Sequence, residues 1–262
     1  MRLLSPGVLV LACAGLLAGS GAARAQNAKL ELKPNPAATE FWIRTTERSR
    51  RQGFVTTPEA GADDWLVVDT LELVRQTSKP GEAGFIEVTV EPLGKSVRIN
   101  EHKVDVEDPR LPLFYRISTR NELPDAMVLG DIAGGLAPQF PEKEIPVGHT
   151  WTAKIAATEQ FMFPFEVKHT FTGIEDFQGE KVASILTEGQ LVTKDADVAF
   201  NLSVAGNTKV GLTSGMVLHS QSTIVFNVQA VKRFKDGHKV QKKTVTRMVE
   251  RRLPGDQQGP GR

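Results

Sequence analysis

The fold is decided by residues 215–252, which read GMVLHSQSTIVFNVQAVKRFKDGHKVQKKTVTRMVERR. In the first half of this stretch the even-numbered positions are largely apolar, and the apolar residues that share this face are Met216, Leu218, Ile224, Phe226, Val228 and Ala230. The other face carries His219, Gln221, Thr223, Asn227 and Gln229. Because successive side chains of a strand point to opposite faces of a sheet, this alternation predicts a long amphipathic strand.

A second strand-like run follows from Lys239 to Arg252, and Asp236-Gly237 separates the two runs. A type I′ turn needs positive φ at both central residues, so Asp-Gly at this position predicts a β-hairpin. Seven further runs rich in Val, Thr, Ile and Phe have strand character: 40–46, 65–75, 85–91, 113–118, 165–174, 181–193 and 197–204. Gly, Pro, Asn and Asp separate them, which predicts an all-β fold of antiparallel strands, in one large curved sheet or two β lobes.

One segment has helical spacing. Between Pro124 and Gly135 the apolar residues recur every three or four positions, Pro124 suits a first helical turn, and Gly134-Gly135 suits a helix end. We therefore expect one short helix over 124–135. A Pro-rich link follows it. If the fold has two lobes, we expect them over about 26–120 and 141–254, joined by the helix and this link.

The N-terminus predicts export. Arg2 precedes an apolar run from Leu3 to Leu17, and Ala23-Arg24-Ala25 has the small-x-small pattern that signal peptidase cleaves. The apolar run is too short to cross a bilayer. We expect a signal peptide over 1–25 and a mature chain from Gln26. A lipid anchor on Cys13 is the alternative, because Val10-Leu11-Ala12-Cys13 loosely resembles a lipobox.

Composition limits the classes of function. The 262 residues include 40% apolar and 24% charged residues, with a formal net charge of +1, which disfavours a nucleic-acid binder. Cys13 is the only cysteine, so the predicted mature chain has none and excludes thiol catalysis, iron–sulfur clusters and Cys-ligated zinc. We expect no cofactor, no metal and no transmembrane segment in the mature chain. The polar tail, 255–262, is expected to be disordered.

A turn motif supplies a resemblance. Residues 148–151, Gly148-His149-Thr150-Trp151, follow a proline-bounded approach and enter a strand. The stretch 136–252 resembles a group of bacterial envelope proteins of unknown function in which this motif reads Gly-Asp-Thr-Trp or Gly-Asp-Ser-Trp. The resemblance implies an exported β fold and no particular activity. Here His149 stands where such proteins have Asp. The same residues also suit a plain turn, in which Gly permits the bend and Trp151 anchors the core.

The remaining candidate residues favour structure over catalysis. Residues 101–108 cluster one His with four carboxylates, but alternation divides them between two faces, so we expect a solvated acidic edge or loop. His169 falls on an apolar face with Phe165, Val167 and Phe171, which predicts a buried histidine with one hydrogen bond. No Gly-x-Ser-x-Gly elbow and no phosphate-loop spacing is present in the sequence.

Charge is asymmetric in the last hairpin. Between residues 232 and 252 nine Lys or Arg accompany two acids, and Arg44, Arg48, Arg50 and Arg51 form a smaller basic cluster. Lysines protect sheet edges from aggregation, which explains part of this pattern. The alternative is contact with an anionic envelope component or lipid. The candidate contact residues are Lys239, Lys242, Lys243, Arg247, His149 and Trp151.

These observations predict a non-enzymatic binding or scaffolding protein of the bacterial envelope, periplasmic or extracellular, whose ligand is lipid-like or anionic. The alternative is an extracytoplasmic hydrolase that pairs His149, His169 or His219 with distant carboxylates. An apolar face without converging titratable groups favours binding. A His within hydrogen-bond reach of Asp or Glu beside a pocket favours catalysis.

Overall fold

The computed structural model describes residues 26–53, 66–106, 110–122, 138–155, 164–194, 198–230 and 238–256. Within these ranges the chain is almost wholly β. The strands are β1 (Asn27–Ala28), β2 (Thr39–Gly53), β3 (Leu66–Pro80), β4 (Phe85–Ile99), β5 (His102–Val104), β6 (Leu113–Ser118), β7 (Ile145–Pro146), β8 (Thr150–Ile155), β9 (Phe165–Phe177), β10 (Glu180–Lys194), β11 (Val198–Gly211), β12 (Val217–Ala230) and β13 (His238–Arg251). One turn of 3-10 helix, Glu82–Gly84, joins β3 to β4. The helix predicted over 124–135 lies outside the described residues.

Eleven strands form one open antiparallel sheet. Its order is β5-β4-β3-β2-β13-β12-β11-β10-β9-β8, and β6 pairs with β4 beside β5. The strands β1 and β7 form a separate two-stranded sheet. The predicted all-β antiparallel fold is confirmed, and it takes the form of one large sheet to which residues on both sides of the Pro-rich link contribute.

The strand predictions from alternation are confirmed. The runs around 165–174, 181–193 and 197–204 became β9, β10 and β11, each somewhat longer than predicted. The predicted hairpin is β12 paired with β13, from His219 opposite Glu250 to Gln229 opposite Val240. The Asp236-Gly237 turn itself lies outside the described residues.

One face of the sheet is buried over β8 to β12. A row of directly opposed residues runs from Val167 through Val204 to Ile224, and their exposures are 0%, 4% and 7%. We call this the inner face and its reverse the outer face. The alternation explains the burial, because the intervening residues, such as Lys168 and Ser203, are exposed.

The sheet curls strongly at one end. Phe41 of β2 and Val74 of β3 belong to the same buried cluster as Val182 of β10 and Leu218 of β12. Four strands separate β3 from β10 in the sheet order. Neighbouring strands lie about 4.8 Å apart, so such a contact requires the sheet to bend round on itself. We call this the sealed end.

The segment after β1 crosses the sealed end and ties its two sides together. Leu32 N–H donates to the Thr119 carbonyl at 2.7 Å, and Lys33 N–H donates to the Gly215 carbonyl at 3.1 Å. Leu32 also packs against two clusters, one on β9 to β11 and the other on β4 and β6. At the opposite end, which we call the loop end, β2, β10 and β12 finish and β3, β11 and β13 begin.

Candidate binding face

A row of mostly polar residues crosses the inner face. The register places them opposite one another on successive strands, and we call them the polar row: Trp151, His169, Thr187, Gly206, Ser222, Arg247, Thr45 and Thr70. On the sealed side of the row lies an apolar cluster that contains Phe171 and Ile185. On the loop side lies a second apolar cluster, which contains Val204 and Ile224. The inner face therefore carries a polar line between two apolar surfaces.

His169 is the most buried polar side chain of this row. Its exposure is 0%, and its Nδ1 lies 2.9 Å from the Thr187 hydroxyl oxygen. The predicted buried histidine with one hydrogen bond is thus confirmed. Its second nitrogen, Nε2, is also buried and has no hydrogen-bond partner among the described residues. Burial lowers the pKa of His169 to about 4, so the ring is neutral at neutral pH.

The predicted turn at 148–151 brings two of the candidate contact residues to His169. Gly148 has a φ of +87°, which allows the turn that enters β8. The Trp151 ring lies 5.4 Å from the His169 ring, and the His149 ring stacks on Trp151 at 6.1 Å. Trp151 Nε1–H donates to the Gln139 carbonyl at 2.6 Å. Nothing in the sequence links these three rings, because it is the β8–β9 register that brings them together.

The inner face becomes ionic beyond β12. Lys243 of β13 pairs with Glu47 of β2 at 2.8 Å. Glu72 of β3 pairs with Lys95 at 3.5 Å and with Arg110 at 3.0 Å. Lys243, Glu47, Glu72 and Lys95 occupy inner strand positions whose counterparts on β9 to β12 are mostly apolar, and Arg110 lies just before β6. Glu47 of β2 thus supplies an acidic partner to Lys243, which has no acidic neighbour in the hairpin sequence.

The four basic candidate residues of β13 do not share one surface. Lys243 and Arg247 lie on the inner face, and Arg247 is a member of the polar row. Lys242 is paired in the strand register with Arg50 of β2. Lys239 lies beside a register shift at the start of β13. The structure therefore divides the predicted contact set into an inner part and a part at the loop end.

In the described strand register one carboxylate lies directly opposite a histidine. It is Glu250, which pairs with His219 on the outer face. Burial lowers the pKa of His219, and the nearby Glu250 opposes that effect. The Phe177 ring lies 5.8 Å from the His219 ring, and Gln178 binds Glu250 and Arg251. Across the described ranges, no hydrogen bond joins a carboxylate to His149, His169 or His219, and no three potential metal ligands converge.

An open depression of about 620 Å³ lies at the sealed end of the sheet. Within it Glu40 accepts hydrogen bonds from Arg75 at 3.2 Å and from Arg252 at 2.7 Å. The Arg75 hydrogen bond is the main reason that the pKa of Glu40 lies below its usual value. Each arginine thus already has a carboxylate partner, so this depression offers little net charge to a ligand.

No protein-family model and no curated protein sequence matches the chain. Among the described residues, no helix is long and apolar enough to span a bilayer. An assignment of function therefore rests on the geometry of the inner face.

Proposed function

We propose that this protein is a non-enzymatic binding or scaffolding protein of the bacterial envelope, exported by the segment 1–25, whose inner face holds a lipid-like ligand. The single observation that carries the proposal is the Nε2 atom of His169, which is buried between two apolar clusters without a partner among the described residues. The ligand has an apolar body and at least one hydrogen-bonding group.

The energetics support a ligand with this composition. A buried polar group without a hydrogen bond destabilises a fold by about 1–3 kcal/mol, so a ligand hydroxyl or carbonyl that bonds Nε2 recovers that energy. Because the ring is neutral, His169 recognises a hydrogen-bonding group and not a charge. The apolar cluster around Val204 and Ile224 provides contact for hydrocarbon. Arg247, the charged member of the polar row, suits an anionic part of the same ligand.

The hydrolase alternative has weaker support. His219 and Glu250 are the one opposed His–carboxylate pair in the described register, and they lie on the outer face without a hydrogen bond between them. General base catalysis needs a base held by its orienting group within about 3 Å. The arrangement around His219 does not meet that condition.

Tryptophan fluorescence tests the proposal, because Trp151 adjoins His169. We would titrate the protein with lysophosphatidylglycerol and expect a saturable change. His169→Phe removes both ring nitrogens and keeps a similar shape, so it should weaken binding about tenfold, the equivalent of one hydrogen bond. His102→Phe, on the exposed edge strand β5, is the matched control and should bind like the wild type.

Two results would contradict the proposal. One is the absence of saturable binding to the wild type. The other is equal binding by the wild type and His169→Phe, provided that both proteins unfold in one cooperative transition.

A further inference from the structure

We propose that the edge strand β6 pairs with β6 of a second copy of this chain, antiparallel about a two-fold axis, so that two sheets join edge to edge. In this dimer Phe114 of each copy lies opposite Arg116 of the other. The proposal goes beyond ligand binding on the inner face and does not depend on it, because it concerns another surface and another kind of partner.

The two edges of the large sheet differ in their exposed side chains. One edge is β8, whose exposed residues are Thr150, Thr152 and Lys154. Polar side chains and lysine on an edge strand oppose pairing with other chains. The other edge consists of β5 and β6, which lie end to end along β4, and on β6 the Phe114 ring is 70% exposed. The second edge thus presents apolar surface where the first presents polar groups.

Exposed apolar side chains are concentrated along the β5–β6 edge. Phe114 is accompanied by Leu111, just before β6, which is 84% exposed. Further exposed apolar residues on or beside β4, β5 and β6 are Leu93, Ile99, Val104, Val106 and Leu113. Together they expose roughly 500–700 Å², which is at or above the largest apolar patch of a typical monomer and comes near the roughly 800 Å² that each partner buries in a stable interface. A patch of this size indicates an interface.

The backbone of β6 has hydrogen-bonding groups that point away from β4. Ser118 N–H donates to the Glu122 carbonyl at 2.9 Å, and the Ser118 carbonyl accepts from Asn121 N–H at 2.9 Å, so Ser118 directs both groups away from β4. In an antiparallel pair the bonded residues alternate, so the N–H and C=O groups of Phe114 and Arg116 point the same way. In the part of the chain that the structure describes, no backbone group bonds them there.

These backbone groups favour a strand over a bilayer as the occupant of the edge. Hydrocarbon offers no hydrogen-bond partner to N–H and C=O groups, so open strand edges do not occur in it. An added strand bonds all four groups of Phe114 and Arg116 and covers the apolar side chains beside them. The occupant is therefore an extended segment of protein.

The sequence of β6 is complementary to itself in one register. When Phe114 of one copy lies opposite Arg116 of the other, all four outward backbone groups of each copy meet a partner, and Leu113 lies opposite Ile117. Each guanidinium then meets an aromatic ring. Arg116 already makes such a contact within its own chain, 5.9 Å from the centre of the Phe85 ring.

The neighbouring registers are worse. A shift of two residues in one direction places Pro112, which has no N–H, opposite Arg116. The same shift in the other direction places Arg116 opposite Arg116, and like charges directly opposite each other destabilise an antiparallel pair. A shift of one residue brings outward groups against inward ones. The second copy thus fits this edge in a single defined register.

Sedimentation equilibrium tests the proposal. We would compare the wild type with Phe114→Lys, which places a cation opposite Arg116 of the second copy. Val192→Lys is the matched control, because Val192 is 65% exposed on β10, in the interior of the sheet. The double variant Phe114→Lys with Arg116→Glu makes the opposed charges complementary again. Because Phe114 is exposed in the single chain, its replacement should leave the unfolding of the dilute monomer unchanged.

We expect the wild type and Val192→Lys to be dimers at micromolar concentrations. Phe114→Lys should raise the dissociation constant of the dimer at least about tenfold, because two like-charged pairs replace two cation–ring pairs, and the double variant should recover most of this loss. A wild type that is monomeric at every concentration would overturn the proposal, as would equal dissociation constants for the two lysine variants. If that monomer instead sediments with phosphatidylcholine vesicles and Phe114→Lys does not, the exposed strip contacts a bilayer and the dimer is excluded.

Disulfide cross-linking tests the register without the lysine variants. Cys13→Ser removes the only cysteine, and Phe114→Cys and Arg116→Cys are then introduced in separate chains. Opposed residues that exchange both backbone bonds have Cα atoms about 5.5 Å apart, within reach of a disulfide. A mixture of the two chains should oxidise to a covalent dimer several-fold faster than either chain alone. Equal rates would overturn the proposed pairing, whatever the outcome of the lysolipid titration of the inner face.

Discussion

The inner face of the sheet has two halves that share one backbone geometry and differ in chemistry. Over β8 to β12 its positions are buried and mostly apolar, as at Val167 and Leu202. Over β13 to β4 the equivalent positions include the pair of Glu47 with Lys243, whose side chains are 36% and 32% exposed. The comparison shows that strand alternation identifies the residues that share a face. It does not decide whether that face is buried from solvent.

The two halves should contribute unequally to stability. Burial of apolar surface contributes about 25 cal/mol per Å², whereas a partly exposed ion pair contributes between about 0 and 1 kcal/mol. The apolar half should therefore hold the fold together, and the ionic half should tolerate change. Three predictions test this difference.

The largest effect is expected in the apolar half. Phe171 is 0% exposed and packs in a cluster with Phe140, Ile145 and Ile185. Phe171→Ala should lower the free energy of unfolding by about 3–5 kcal/mol, measured by urea denaturation. Phe114→Ala removes an equally large ring that is 70% exposed, and it should change stability by about 0.5 kcal/mol or less. Similar losses for the two variants would remove the distinction between buried and exposed parts of the sheet.

An intermediate effect should appear on acidification. Burial lowers the pKa of His169 from 6.5 to about 4, so below pH 6.5 the unfolded chain binds a proton that the folded chain does not. Stability should fall between pH 6.5 and 4 by about 1.4 kcal/mol per pH unit from this group, and by about 3 kcal/mol in all. Urea midpoints across this range should fall less steeply for His169→Phe than for the wild type and for His102→Phe. Parallel curves for all three proteins would show that His169 is protonated in the fold.

The smallest effect is expected in the ionic half. A double-mutant cycle of Lys243→Met and Glu47→Gln should give a coupling energy below about 1 kcal/mol that shrinks further with salt. A coupling above about 2 kcal/mol would mean that this pair is more enclosed than its exposure indicates, and the contrast between the halves would weaken.

Much of the placement of strands along the chain follows from local sequence. The hairpin of β12 and β13 is predicted from its alternating pattern and the Asp236-Gly237 turn, and the strand β6, Leu113–Ser118, from its run of apolar and aromatic residues. The burial of His169 was predicted for the same reason, since its neighbours two positions away are Val167 and Phe171. For the region of the edge strand β5 the sequence predicted only an acidic edge or loop. A strand of three residues is too short to show an alternating pattern.

The site could not be predicted, because it depends on pairings between distant segments. Nothing near Trp151 in the sequence indicates that its ring adjoins His169, and nothing near Lys242 indicates that Arg50 lies opposite. The small sheet of β1 and β7 was also missed, since each strand has two residues and is held by burial of Ala28 and Ile145. The strand register and the curl of the sheet depend on contacts between distant segments, not on local sequence.

The pairing of β2 with β13 has a consequence for the folding order. It joins Phe41 to Arg251, so the centre of the sheet is completed last when the chain is synthesised from its N-terminus. The hairpins β9–β10 and β11–β12 can form from local contacts, and so can the pairs β2–β3 and β3–β4, whereas the other edge of β2 stays unpaired until β13 is available. This non-local pairing predicts slow folding and a long-lived intermediate with unpaired strand edges, which is a state that a chaperone would need to protect.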